Sequence, residues 1–217
     1  MTSKLNVLIL ARGGSKSIHR KNLVEIGGYP LIFHPINTAK KSDYISEVYV
    51  STDDEEIKSV SLSYGAKVIN RPKELAQDDS LDIDSMKHFV QYINCEDDFV
   101  HLRATSPLVK REILEGAIDY FKSNQDCTSL RSAHEMFKKD GKYWSGFFNL
   151  KDTEYPRQKF AKTYKPNGHV DIVRPKHFMY GDSLHGDKIL SYITDFTHDI
   201  DTKNDYKKLE VEYNELV

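Results

Sequence analysis

The chain predicts an α/β fold, a mainly parallel sheet with helices on both faces. Three observations predict it. The run Leu5 to Leu10 is apolar at five of six positions, too continuous for a strand with one wet face and suited to one buried on both. Strand-like and helix-like segments then alternate over the front two-thirds of the chain. Each strand-like segment also runs into a loop containing Gly, Ser, Thr or Asp before the next helix, and in parallel sheets such loops gather at one edge. At 217 residues, 39% hydrophobic and 29% charged, the chain has enough apolar material for a core and suits a single domain over 1–217.

The elements follow in order. After the opening strand, Pro30 to Ala39 reads as a helix start, with Pro35 near the first turn, where a missing N–H is tolerated. Glu47 to Thr52 reads as a second strand ending in the acidic turn Asp53-Asp54, and one of that pair suits a helix N-cap. Glu55 to Tyr64 is a predicted helix with Ile57, Val60 and Leu62 inward and Gly65 just past its end. Ala66 to Ile69 is a short strand and Arg71 to Ser80 a polar loop. Met86, Phe89, Val90 and Ile93 form the stripe of the next helix. Asp98 to Leu102 is a strand that stops at Arg103-Ala104-Thr105-Ser106-Pro107, and Ile113, Leu114, Ala117, Ile118 and Phe121 mark the helix after it. From about 133 to 166 the period is lost. Phe137, Tyr143, Trp144, Phe147, Phe148, Tyr155, Phe160 and Tyr164 mix there with Lys and Gly. That region reads either as a β-rich cover of the sheet edge or as an arm burying aromatics against a second subunit. Order returns at His169 to Val173.

The first strand runs into Ala11-Arg12-Gly13-Gly14-Ser15-Lys16 and closes on Lys21-Asn22-Leu23. Glycines let backbone amides approach a ligand, while Arg12, Lys16 and Lys21 set positive charge at the carboxyl end of the strand. Such a loop suits phosphate. It matches neither G-x-x-x-x-G-K-[ST] nor G-x-G-x-x-G, which removes the main support for ATPase and dehydrogenase readings.

A formal net charge of −2 argues against a broad nucleic-acid surface. Cys95 and Cys127 form no CxxC pair and imply neither a zinc site nor a disulfide framework. No signal peptide and no apolar run near the ~20 residues of a membrane span are evident, so the expectation is a cytoplasmic protein without membrane contact.

Read together, the loops resemble the CMP-sugar synthetases that activate sialic acids and related nine-carbon acids. The family pattern A-R-x-G-S-K-G-[IV]-x-x-K-N is matched from Ala11 to Asn22 except at Ser17. Further blocks follow in family order: Val50 to Ile57, Arg71 to Ala76, Thr105 to Leu108, Pro156-Arg157-Gln158, Pro166-Asn167-Gly168 and Asp199 to Thr202. The match runs from residue 7 to about 205.

This resemblance implies a Rossmann-like nucleotidyltransferase fold with a dimerisation arm at roughly 133–166, and a homodimer in which Arg157 reaches the partner's site. It implies that Ala11, Arg12, Gly13, Gly14, Ser15, Lys16 and Lys21 hold the triphosphate of CTP, with Asn22, Arg71, Ala76 and Ser80 on the nucleotide. Asp199 and Asp201, a D-x-D pair of hard oxygen ligands, are assigned to Mg²⁺. The acceptor would be a 2-keto sugar acid, met by Arg103, Thr105, Ser106, Asn167 and Gly168, and no side-chain nucleophile is needed.

Two departures bear on the acceptor. Arg103 stands where the family usually has glutamine, and His169-Val170-Asp171 follow Pro166-Asn167-Gly168 where Ala-Ile-Tyr is common. Arg103 suits a substrate carboxylate. Both changes favour an altered nonulosonic acid, such as pseudaminic or legionaminic acid, over plain sialic acid. The alternatives are an enzyme of the same fold acting on the eight-carbon acid Kdo, and a nucleotide-binding regulator without catalysis.

Overall fold

The apolar run becomes the centre of the sheet because only a strand covered on both faces can bury side chains pointing both ways. The structure, a computed structural model, describes residues 3–94, 96–136 and 163–216. In strand β1 (Leu5–Leu10), Val7 and Ile9 face one layer of core and Leu8 the other, all fully buried. A short hairpin follows, β2 (Glu25–Ile26) and β3 (Tyr29–Pro30). Its turn residues Gly27 and Gly28 have φ of 60° and 78°, the two positive values a tight primed hairpin turn requires.

Helix α1 (Phe33–Lys40) leads to β4 (Ile45–Thr52), α2 (Glu55–Ser63) and β5 (Lys67–Asn70). Helix α3 (Asp82–Ile93) precedes β6 (Phe99–Leu102), and α4 (Arg111–Ser123) precedes β7 (Ser129–Met136). Then come β8 (Thr163–Val173), a short α5 (Pro175–Phe178), β9 (Ile189–Ile193) and α6 (Lys203–Leu216). The sheet runs β5-β4-β1-β6-β8-β7-β9. Its first four strands are parallel, β8 is antiparallel to both β6 and β7, and β9 is parallel to β7.

Helices α1 and α4 cover one face through Ile36, Ala39, Leu114, Ala117, Ile118 and Phe121. Helix α3 covers the other through Met86, Phe89 and Val90, with Phe89 edge-on to Phe99 at 4.9 Å. Each large side chain so buried contributes about 1.5–3 kcal/mol, so the fold is fixed well away from the sheet's carboxyl edge. A third, smaller cluster of Ile18, Ile26, Leu31, Ile200 and Leu209 pins α6 and the segment before it to the hairpin.

The predicted mainly parallel sheet is therefore observed, with β7, α5, β9 and α6 not anticipated in the sequence and three smaller local differences. Leu62 is 51% exposed; it lies five positions from Ile57, on the far side of the helix, and Ser61 takes the inward place with its hydroxyl on Ile57 O at 2.7 Å. The hairpin at 25–30 was not read. Pro166-Asn167-Gly168 lies inside β8 rather than before a strand. The register jumps there from Arg131↔Asp171 to Ala133↔Pro166, so these residues form a bulge, with Gly168 at φ 67°. The aromatic positions Phe137, Tyr143, Trp144, Phe147, Phe148, Tyr155 and Phe160, and Arg157, lie outside the described residues; residues 133–136 and 163–166 belong to β7 and β8. Among the described residues no helix is long and apolar enough to cross a membrane.

Candidate active site

Strand order reverses between β1 and β6, and a crevice at the carboxyl ends of the strands at such a switch point is the expected ligand site of an open α/β sheet. Here a cavity of about 380 Å³ is lined by Arg12, Lys16, Lys21, Arg71 and Arg103, with Asp82 and Asp201 as its only carboxylates among the described lining residues. Five cations against two anions, on a chain whose formal net charge is −2, concentrate positive potential at one place.

The loop after β1 is tied down along its length. Asn22, buried, donates from Nδ2 to Arg12 O at 3.0 Å, closing the loop on itself. The Gly13 amide donates to Asp53 Oδ1 at 2.9 Å. A Cβ on Gly13 would meet Asp54 at 2.8 Å, so a side chain there would push the loop from its seat. Asp54 is the N-cap of α2, accepting from the Glu56 and Ile57 amides, and it also takes Arg20 Nη2 at 2.9 and 3.0 Å. Arg20 itself sits at φ 52°, a left-handed conformation that costs a non-glycine residue energy and is tolerated where neighbours enforce it. Nothing in the sequence signalled Arg20.

The loop from Arg71 to Ser80 faces this one. Arg71 is buried, its Nη2 donating to Ser51 O at 2.7 Å and its Nε to Ser51 Oγ at 3.1 Å. Burial lowers its pKa, against the pull of Asp53 and Asp82. Ser80 accepts the Gln77 amide and donates to Glu74 O, shaping the loop around Ala76. Arg12 reaches across to Gln77 O at 2.6 Å and to Asp78 at 3.1 Å, and Lys16 also pairs with Asp78. Such exposed pairs contribute little to stability, so they can give way to a ligand.

After β6, Arg103 and Thr105 line the cavity and Ser106 lies behind them, donating to Asp199 Oδ1 at 2.5 Å. Ile200 is buried, its amide on Thr105 O at 3.0 Å. That anchor holds the D-x-D segment against the end of β6, with Asp201 accepting from Lys21 Nζ at 3.2 Å. Asp199 has its pKa pushed up to about 6, by burial first and then by the charge of Asp201, against the Ser106 hydrogen bond.

Asn167 and Gly168 form the β8 bulge. Asn167 is buried and donates to Thr194 Oγ1 at 2.7 Å, while Gly168 approaches Arg103 so closely that a Cβ would lie 2.8 Å from its Cδ and Nε. The predicted residues Arg12, Ser15, Lys16, Lys21, Asn22, Arg71, Arg103, Thr105 and Asp201 thus share one cavity wall. Ala11, Gly13, Gly14, Ala76, Ser80, Ser106, Asn167, Gly168 and Asp199 are not on that wall. Asp78, His101 and Asp82 were missed, although the acidic run Asp78-Asp79 beside a cationic loop was a usable signal.

The sequence model of the family described as Cytidylyltransferase matches residues 6–208. The chain is 30% identical over 210 residues to the N-acylneuraminate cytidylyltransferase of Streptococcus agalactiae serotype III, a match covering 92% of this chain and 51% of that protein. It is 39% identical over 123 residues to the pseudaminic acid cytidylyltransferase of Campylobacter jejuni, covering 54% of this chain and 53% of that one. The chain spans about half the length of the first of these relatives, while the second match covers about half of each chain. In fold it is similar to a CMP:2-keto-3-deoxy-manno-octonic acid synthetase solved with CTP, at a TM-score of 0.76 and 18% identity over 99% of this chain and 100% of that one. A switch-point cavity with a cationic loop, within a match running from residue 6 to residue 208, leads to one assignment: the chain belongs to the cytidylyltransferase family.

Proposed function

We propose that the chain transfers CMP from CTP to the anomeric hydroxyl of a 2-keto sugar acid of the nonulosonic class, releasing pyrophosphate. The observation that carries this reading is the cavity itself, with five cations and the Asp201 carboxylate around the end of β1. The anomeric oxygen attacks the α-phosphorus, the bond to the β-phosphate oxygen breaks, and the hydroxyl proton leaves to solvent. Arg12, Lys16 and Lys21 offset charge on the departing pyrophosphate, and the Gly13–Ser15 loop, seated on Asp53 through the Gly13 amide, brings Ser15 to the cavity. Arg71, with Asn22 and the loop bearing Ala76 and Ser80, holds the nucleoside side. Arg103, Thr105, Asn167 and Gly168 shape the acceptor side.

Asp199 and Asp201 fit Mg²⁺. They are two hard oxygen donors separated by one residue, Asp201 on the cavity wall and Asp199 behind it with Oδ1 on the Ser106 hydroxyl. When bound there, the metal would neutralise phosphate charge and acidify the attacking hydroxyl. We further propose a homodimer formed through residues 133–166, with Arg157 reaching the partner's site; full activity in a monomer would overturn it. The supply of CTP makes the cytoplasm the working compartment.

The test is pyrophosphate release with CTP and Mg²⁺ across N-acetylneuraminic, pseudaminic and legionaminic acids and Kdo. Turnover of a nonulosonic acid is expected. Turnover of Kdo alone would assign the eight-carbon substrate, and tight CTP binding with no turnover would make the chain a nucleotide-binding regulator.

A further inference from the structure

One wall of the cavity is braced across three strands. His101 on β6 and Arg131 on β7 are both register partners of Asp171 on β8, and directly opposed residues send their side chains to one face. The Asp171 carboxylate, only 1% exposed, therefore lies between two guanidiniums. Arg103 Nη2 is 3.4 Å from Oδ2 and Arg131 Nε is 3.4 Å from Oδ1. His101 Nδ1 stands 3.9 Å from Oδ2 without a hydrogen-bond partner, and burial with the nearby charge of Arg103 keeps that imidazole neutral. From the other side Asp82 approaches Arg103 Nη1 at 3.7 Å. Of these residues Arg103, His101 and Asp82 line the cavity, while Asp171 and Arg131 lie behind them.

A carboxylate so buried is costly unless paired. The two guanidiniums face two carboxylates, but Asp82 is exposed and sits 3.7 Å away, a weak pair that a substrate anion can displace. Arg103 is the guanidinium that reaches the cavity. Its Nε is buried and unpartnered beside Gly168. Without Asp171, Arg103 would be drawn to the exposed Asp82. Resting on the function proposed above, we propose that Asp171 and Arg131 are positioning residues for the acceptor. Arg131 fixes Asp171, and Asp171 holds the Arg103 guanidinium toward the carboxylate of the sugar acid.

The test is a double-mutant cycle on the whole chain, using whichever acid of the panel is turned over. Arg103→Gln and Asp171→Asn should each raise the acceptor KM about thirtyfold, the scale of one lost charged hydrogen bond, with the CTP KM within about twofold of wild type. Because Asp171 acts through Arg103, adding Asp171→Asn to Arg103→Gln should change the acceptor KM no further. Arg131→Lys, which keeps the charge, should be milder than Arg131→Gln. Additive effects, or a CTP KM that rises in parallel, would overturn the positioning role while leaving the proposed function standing. Failure of every acid to react would overturn the function and this inference with it.

Discussion

Replacing Arg71 with methionine should weaken CTP binding without weakening the fold. Arg71 gives two hydrogen bonds to Ser51, at 2.7 and 3.1 Å, and bonds from a charged donor are worth about 1.5–3 kcal/mol each. Against that gain stands a buried guanidinium with no carboxylate within salt-bridge distance among the described residues, and desolvating one ion costs several kcal/mol. Truncation also leaves no orphan carbonyl, since Ser51 O still accepts the Ala11 amide at 3.0 Å. The terms nearly cancel, giving a net change within about 1 kcal/mol, or roughly 2–4 °C in Tm for a domain of this size. If the guanidinium serves the nucleotide, its loss removes a charged contact from the complex. The CTP Kd should then rise roughly ten- to a hundredfold. Calorimetric titration with CTP, paired with thermal melting, checks both numbers. A Tm loss of more than about 8 °C with unchanged CTP affinity would make Arg71 a structural strut and refute the reasoning.

Asp201→Ala should melt within about 2 °C of wild type, because that side chain is exposed and its hydrogen bond is an exposed one to Lys21. It should also lose most pyrophosphate release, and near-normal turnover would sink the metal assignment. Gly168→Ala forces a side chain into φ 67° and against Arg103, at about 1–2 kcal/mol of strain. The acceptor KM should rise with the CTP KM unchanged, and an unaffected acceptor KM would separate the bulge from Arg103. His169 supplies a pH signature. Asn167 Oδ1 accepts the His169 amide and so turns its Nδ2 toward the ring, making Nδ1 an acceptor. Burial, then the charge of His134, lowers the pKa from 6.5 to about 4. The folded state thus binds fewer protons than the unfolded one, so this stabilisation is full above 6.5 and lost as pH falls toward 4. Between pH 7.5 and 5 the loss comes to about 2 kcal/mol. Urea denaturation at both pH values should show His169→Gln losing about that much less than wild type; equal losses would contradict it.

What the sequence made legible followed from local chemistry. The buried strand Leu5–Leu10, the α3 and α4 stripes and the Asp54 cap are each written in neighbouring residues, and the structure has them. The cationic loop was legible for the same reason. What stayed hidden depends on distant pairing. Asp78 gains meaning because its loop folds across onto Arg12 and Lys16. Arg131 and Asp171 are 40 residues apart in the chain and meet through strand register. The β8 bulge lies between the aperiodic stretch and the ordered run from His169, and Pro, Asn and Gly do not distinguish a bulge from a loop.

The central claim is a transfer at the α-phosphorus of CTP, and the most direct measurement is the product balance. With CTP, Mg²⁺ and the acid that is turned over, the account predicts pyrophosphate and CMP-sugar in equal amounts, with no CDP and no free phosphate. Release of CDP with phosphate, or of pyrophosphate without acceptor, would contradict it.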